Sequence, residues 1–127
     1  MSRDPGQRVL VLVCDDLLMG SRVREAVRQS TWELETITSA ERLSVAIQQA
    51  PQLVLVSMAL RKLPAVRVIE QCREMGVRCV AFAGHAESEL HATARSAGAW
   101  RTIANSSVAT VLPQLLEHWE KRDEVIP

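Results

Sequence analysis

Three unbroken apolar stretches constrain this chain most: VLVLVC at 9–14, LVLV at 53–56 and CVAFA at 79–83. A strand with one wet face alternates apolar and polar residues. A run without alternation suits a strand covered on both faces. These stretches therefore read as central strands, and the segments between them read as the helices that cover them. After the first run, Met19, Val23, Ala26 and Val27 share a helical face, with Arg22, Arg24, Glu25 and Arg28 mostly opposite. Thr38 or Ser39 is placed to cap a helix over 40–49 with Leu43, Ala46 and Ile47 inward, closed by Pro51. A helix over 65–75 has Val66, Ile69 and Cys72 or Arg73 in register and stops at Gly76. Gly98 stops another over 87–97, and Ser106 or Ser107 precedes a last helix with Leu112, Leu115, Leu116 and Trp119 as an inward stripe. Pro113 leaves two alternatives: this helix starts late, with proline in its first turn, or it loses one backbone hydrogen bond.

The alternating segment WELETI at 32–37 reads as a strand nearer the sheet edge, and 100–104 as a short fifth strand. Strand and helix then alternate five times, which specifies an α/β fold with a parallel sheet between two helical layers. The 127 residues suit one domain, expected over 8–121 with a lead-in at 1–7 and a tail at 122–127. With aromatics at 3%, the core must be aliphatic. A formal net charge of zero argues against a general nucleic-acid binder, and no apolar run is long enough for a membrane span. Cys14, Cys72 and Cys79 show no CxxC pair and no zinc spacing, so they read as reduced, buried thiols of a cytoplasmic protein without a signal peptide. Ligand sites in such sheets lie at the carboxyl ends of the strands. Here those ends carry Asp15, Asp16, Ser57, Ala83 and Asn105.

Five βα units with an acidic pair directly after the first strand resemble the receiver domain of response regulators. The resemblance runs from about Arg8 to Trp119, through VLVLVCDD, PQLVLVSMAL, CVAFAGHA and SAGAWRTIANS in order. It implies a flavodoxin-like (βα)5 three-layer sandwich with a five-stranded parallel sheet in the order 2-1-3-4-5. It also implies an acidic pair for Mg²⁺, a phosphoacceptor Asp ending the third strand, a hydroxyl residue ending the fourth, a Lys ending the fifth, and a switching aromatic within the fifth. This chain departs at each of the last four. Ser57 stands for the Asp, Ala83 for the hydroxyl residue, Asn105 for the Lys and Thr102 for the aromatic. Ser106 replaces a frequent Pro, and Arg61-Lys62 replace a usual Pro-Gly.

The chemistry follows from those substitutions. Phosphoryl transfer of this kind needs a carboxylate nucleophile, a divalent cation and positive charge on the transferring oxygens. A serine hydroxyl cannot form an acyl phosphate, and Asn105 brings no charge. The expected protein is therefore not an enzyme. It is a stand-alone pseudo-receiver that signals by contact with a protein partner, and homodimerisation through the fourth helix, fifth strand and fifth helix (87–97, 100–103 and 108–119) is a natural form of that contact. No cofactor is expected. Asp15 and Asp16 are the only metal candidates, and the preferred reading has them solvated or paired with Arg61 or Lys62.

A kinase acting on Ser57 would add charge beside two aspartates, which is unfavourable. His85 and His91 read as turn and surface residues, since no third ligand accompanies them. Leu17 and Leu18 either cover the old pocket or form a contact patch. Trp100 is either a contact anchor or packs against the fourth helix, and Trp119 reads as core. Two rival functions remain. One is a phosphate-handling enzyme or phosphocarrier using Cys14, which the adjacent carboxylates oppose by disfavouring the thiolate. The other is a small-ligand site in the emptied pocket.

Overall fold

The computed structural model describes residues 7–125, with side chains through His118. The lead-in expected at 1–7 lies almost wholly outside the described residues, and so does the side chain of Trp119. Ten elements alternate: β1 (Val9–Val13), α1 (Leu17–Arg28), β2 (Glu33–Ile37), α2 (Ala40–Gln48), β3 (Leu53–Ser57), α3 (Ala65–Glu74), β4 (Cys79–Ala83), α4 (Ser88–Ala97), β5 (Arg101–Ala104) and α5 (Val108–Val125). A 3₁₀ turn, Asn105–Ser107, leads into α5.

All strand pairs are parallel and the sheet order is β2-β1-β3-β4-β5. This is the flavodoxin-like arrangement. The three uninterrupted apolar runs are the three inner strands, β1, β3 and β4, and each is buried along its length. Edge strand β2 carries the alternating segment.

Alternation along the inner strands sorts residue types between the two faces. Val9, Val11 and Val13 of β1, with Val54 and Val56 of β3, meet α2, α3 and α4 through Leu43, Ile47, Val68, Ile69, Cys72 and Ala94. Leu10, Leu12, Leu53 and Leu55 point the other way, onto α1 and α5 through Met19, Val23, Val27, Leu112 and Leu116. Larger leucines, with Trp32 and Phe82, thus fill the side covered by two helices. Compact valines and alanines fill the side where three crowd together.

Local signals set the helix ends. Ser39 Oγ accepts from the Arg42 N–H at 3.3 Å and caps α2. Ala50 turns the chain out of α2 with φ +54°, and Pro51 prevents resumption. Gly76 (φ +71°) and Gly98 (φ +116°) take the left-handed positions that end α3 and α4.

One expectation needs correction. The inward face of α3 is Ala65, Val68, Ile69 and Cys72, with Val66 only half-buried, because α3 starts directly after Pro64 and its register turns accordingly. Of the two alternatives left open at Pro113, the structure takes the second. Helix α5 begins at Val108, so proline sits inside it and one backbone bond is forgone.

Candidate functional site at the carboxyl edge of the sheet

Four of the five predicted strand-end residues gather around one open cleft of about 470 Å³. Asp15, Asp16, Ser57 and Asn105 line it with Met19, Ala59, Arg61, Lys62 and Phe82. Ala83 is buried at the end of β4 and is not among the lining residues. Successive strand residues face opposite sides, so Phe82, which belongs to the leucine-side core, supplies that wall instead. Strand alternation was the sequence signal for Phe82, and the inward face of α1 was the signal for Met19.

The acidic residues are held by backbone donors. Asp16 is the N-cap of α1, with Oδ1 accepting from the N–H groups of Leu18 at 2.9 Å and Met19 at 3.1 Å. Asp15 Oδ2 accepts from the backbone N–H of Arg61 at 3.0 Å, tying the loop after β3 to the end of β1. The preferred reading had the two aspartates solvated or paired with Arg61 or Lys62; the hydrogen bond from Arg61 to Asp15 comes from the main chain. Arg61 and Lys62 border the cleft, yet neither forms an ion pair among the described residues.

Ser57 is 7% exposed at the end of β3. Its Oγ accepts from the Ala59 N–H at 3.2 Å, and the Met58 N–H donates to Phe82 O at 2.9 Å, so the chain leaves β3 in a tight, fully engaged turn. Asn105 is exposed at the start of the 3₁₀ turn. Thr102 lies half-buried on β5, where its Oγ1 accepts from Arg95 at 3.3 Å.

Cys14, immediately before the acidic pair, is buried, and its Sγ contacts the backbone of Asp16. Burial pushes its thiol above the ordinary value. The carboxylates of Asp16 and Asp15 push it further, and the Asp16 backbone N–H offsets this only partly. The thiolate is therefore disfavoured, the reverse of what an activated nucleophile requires. Among the described residues, no group of three His, Cys, Asp or Glu side chains is placed to hold a metal ion. Likewise, no described helix is long and apolar enough to cross a membrane.

The remaining predicted residues lie outside the cleft. Leu17 and Leu18 are 92% and 63% exposed in the first turn of α1, and neither lines the cleft. Trp100 is half-buried against the leucine-side core rather than the α4 side, its ring 4.7 Å from the Arg78 guanidinium and 4.8 Å from that of Arg101. His85 is exposed, and the His91 ring packs at 3.1 Å from Gly84 O.

No protein-family model matches the chain, and no curated protein matches it in sequence. Solved structures do match. The receiver domain of the TMAO respiratory system response regulator TorR superposes with a TM-score of 0.79 at 17% identity, covering 91% of this chain and 98% of that one. The signal receiver domain of an HD domain-containing protein from Pseudomonas fluorescens Pf-5 gives 0.73 at 16% identity, covering 99% of this chain and 98% of that one. A third match, at TM-score 0.67 and 12% identity over 77% of this chain and 78% of that one, comes from a Saccharomyces cerevisiae co-crystal. That complex pairs a histidine phosphotransfer signaling protein with the receiver domain of its downstream response regulator. The chain thus has the fold of response-regulator receiver domains.

Proposed function

We propose that this chain, with its receiver fold, is a pseudo-receiver that takes part in signal transduction through protein contact and does not carry an aspartyl phosphate. The observation that supports the reading is Ser57, buried and hydrogen-bonded at the end of β3, where the resemblance to receiver domains implies a phosphoacceptor carboxylate. A hydroxyl there cannot give an acyl phosphate. Asn105, opposite it, brings no positive charge, and Ala83 brings no hydrogen bond.

The donor set also fits a divalent cation poorly. Mg²⁺ wants near-octahedral oxygen ligation, and among the described residues only Asp15 and Asp16 bring carboxylates to the cleft, each with one oxygen already committed to backbone N–H groups. No resident cation belongs to this reading. An enzyme built on Cys14 is disfavoured by the raised thiol pKa.

Protein contact is supported by the yeast co-crystal, in which a receiver domain is bound by a phosphotransfer protein. Homodimerisation through α4, β5 and α5 is a second form of the same proposal, though the large exposed hydrophobics among the described residues (Leu17, Leu18, Val45 and Met75) all lie elsewhere.

The test is incubation with acetyl phosphate and Mg²⁺ followed by intact-mass measurement. The reading expects no phosphoryl adduct. An adduct mapping to Ser57, Asp15 or Asp16 would overturn it. A metabolite bound in the cleft without any protein partner would favour the small-ligand alternative.

A further inference from the structure

We infer that the amino edge of the sheet, around the turn from α4 into β5, binds single-stranded nucleic acid through a cluster of arginines built on Trp100. The inference goes beyond the protein-contact reading and does not depend on it.

Four arginines converge on one short segment, Gly98 to Thr102. Arg78, which leads into β4, lies 4.7 Å from the centre of the Trp100 ring, and Arg101 of β5 lies 4.8 Å from it. Arg95 of α4 donates to Thr102 Oγ1 at 3.3 Å. Arg73 of α3 runs across Gly98, whose missing side chain makes room for it: a Cβ there would stand 2.7 Å from Arg73 Cδ. Trp100 is fixed in place, since its backbone N–H donates to Cys79 O at 2.7 Å and its ring packs against the leucine-side core. In a parallel sheet the connections that enter β4 and β5 both lie at the amino edge. This corner is therefore at the opposite end of the sheet from the cleft of Asp15 and Ser57.

Helix stability explains only part of the cluster. A cation in the last turn of a helix complements its dipole, which accounts for Arg73 in α3 and Arg95 in α4. It does not account for Arg78 and Arg101, which stand outside helices and share one indole. Arg73, Arg95 and Arg101 are exposed and form no ion pair among the described residues. Glu70 and Glu74, the carboxylates nearest Arg73 in sequence, do not pair with it. Cations held together without paired acids repel one another, and an anion from outside relieves that. The zero net charge of the chain argues against binding spread over the whole surface, not against charge collected at one corner.

The residue types select the anion. A guanidinium offers a fork of N–H donors that matches phosphate, and a flat face that stacks on aromatic planes, nucleobases included. An arginine held over Trp100 presents both from a fixed place. The carboxylates of an acidic peptide use the fork and leave the flat face unused. From Gly98 to Thr102 the backbone reaches at most about 13 Å, at ~3.3 Å per residue, a length that suits successive phosphates of a strand rather than one small anion.

The test follows the fluorescence anisotropy of a labelled oligoadenylate of about 12 nucleotides as the intact chain is added at low salt. Binding is expected, with a slope of log K against log salt of roughly −2 to −3 for three or four contacted phosphates. Arg95→Gln with Arg101→Gln should weaken binding about tenfold or more and flatten that slope. Arg101→Lys keeps the charge and removes the flat face, so it should lose affinity while the slope stays as it is. Arg22→Gln with Arg24→Gln removes the same charge from α1 and should leave binding unchanged. All of these side chains are exposed, and matched urea midpoints show that the variants fold.

Four outcomes overturn the inference. They are no anisotropy change at about 100 µM chain, parent-like affinity in either Arg101 variant, an equal loss from the α1 pair, and displacement of the strand by poly-glutamate as effectively as by unlabelled oligoadenylate. The last would mark the corner as a surface for acidic protein instead.

Discussion

Replacing Asp16 separates two roles that one carboxylate can play. As a helix cap, its Oδ1 satisfies two otherwise orphaned N–H groups, at 2.9 and 3.1 Å, and places negative charge at the positive end of α1. Removing a cap of this kind costs about 1 kcal/mol, within a range of roughly 0.5–2. For a chain of this length that corresponds to a fall of about 4 °C in Tm. Asp16→Ala should therefore lower the urea midpoint in EDTA, with no metal present. Asp16→Asn keeps an acceptor at the same place and sheds a charge beside Asp15. It should lose only a few tenths of a kcal/mol, about the dipole contribution. A cation-holding role gives the reverse pattern: neither variant loses stability in EDTA, and both lose a stabilisation that Mg²⁺ confers on the parent chain. Denaturation of the three proteins with and without Mg²⁺ decides. An Asp16→Ala chain as stable as the parent in EDTA would refute the capping argument.

Other outcomes follow from the same structure. Gly98→Ala should destabilise more than Gly76→Ala, by about 1 kcal/mol or more, because both have positive φ but only at Gly98 would the new Cβ meet a neighbour, Arg73 Cδ at 2.7 Å; equal unfolding midpoints would contradict this. Burial raises the Cys14 thiol above 9.0, while hydrogen bonding to Cys72, followed by burial, raises Cys79 well above it. The fold therefore favours neutral thiols. Their stabilisation is complete below the unfolded thiol pKa and is lost as pH rises toward the folded values. Each thiol contributes a downward slope of up to about 1.4 kcal/mol per pH unit. The chain has no tyrosine to obscure that range, so urea midpoints should fall above pH 9.0, less steeply in Cys79→Ala, and a flat profile would count against the argument. Alkylation with iodoacetamide should leave Cys72 and Cys79 unmodified until urea unfolds the chain; rapid labelling of Cys14 at neutral pH would revive the nucleophile reading.

The layered sheet was legible because its inner strands are buried on both faces, and that condition leaves an unbroken apolar run in the sequence. Helix boundaries were legible where one residue does a specific job, as Ser39, Gly76 and Gly98 do. The register of α3 was less so. Val66 and Val68 are equally apolar, and only the starting point after Pro64 decides which turns inward. Pro113 left two alternatives open because the sequence does not mark where α5 begins; the start at Val108 selects the lost backbone bond.

At the site, the residue types were readable and the partners were not. Ser57 and Asn105 could be placed at strand ends by counting, but the Arg61 N–H bond to Asp15 spans 46 positions and depends on the shape of a turn. Which of Phe82 and Ala83 lines the cleft rests on strand alternation at the last residue of β4, where one residue of register exchanges the two.

The central claim is that the cleft between Asp15 and Ser57 no longer receives a phosphoryl group. Its most direct test is the amide spectrum of the chain with Mg²⁺ and beryllofluoride, a mimic of the phosphorylated aspartate. The account predicts no change at Asp15, Ser57 or Asn105 and none along β5. Shifts at Ser57 that propagate to Thr102 would contradict it.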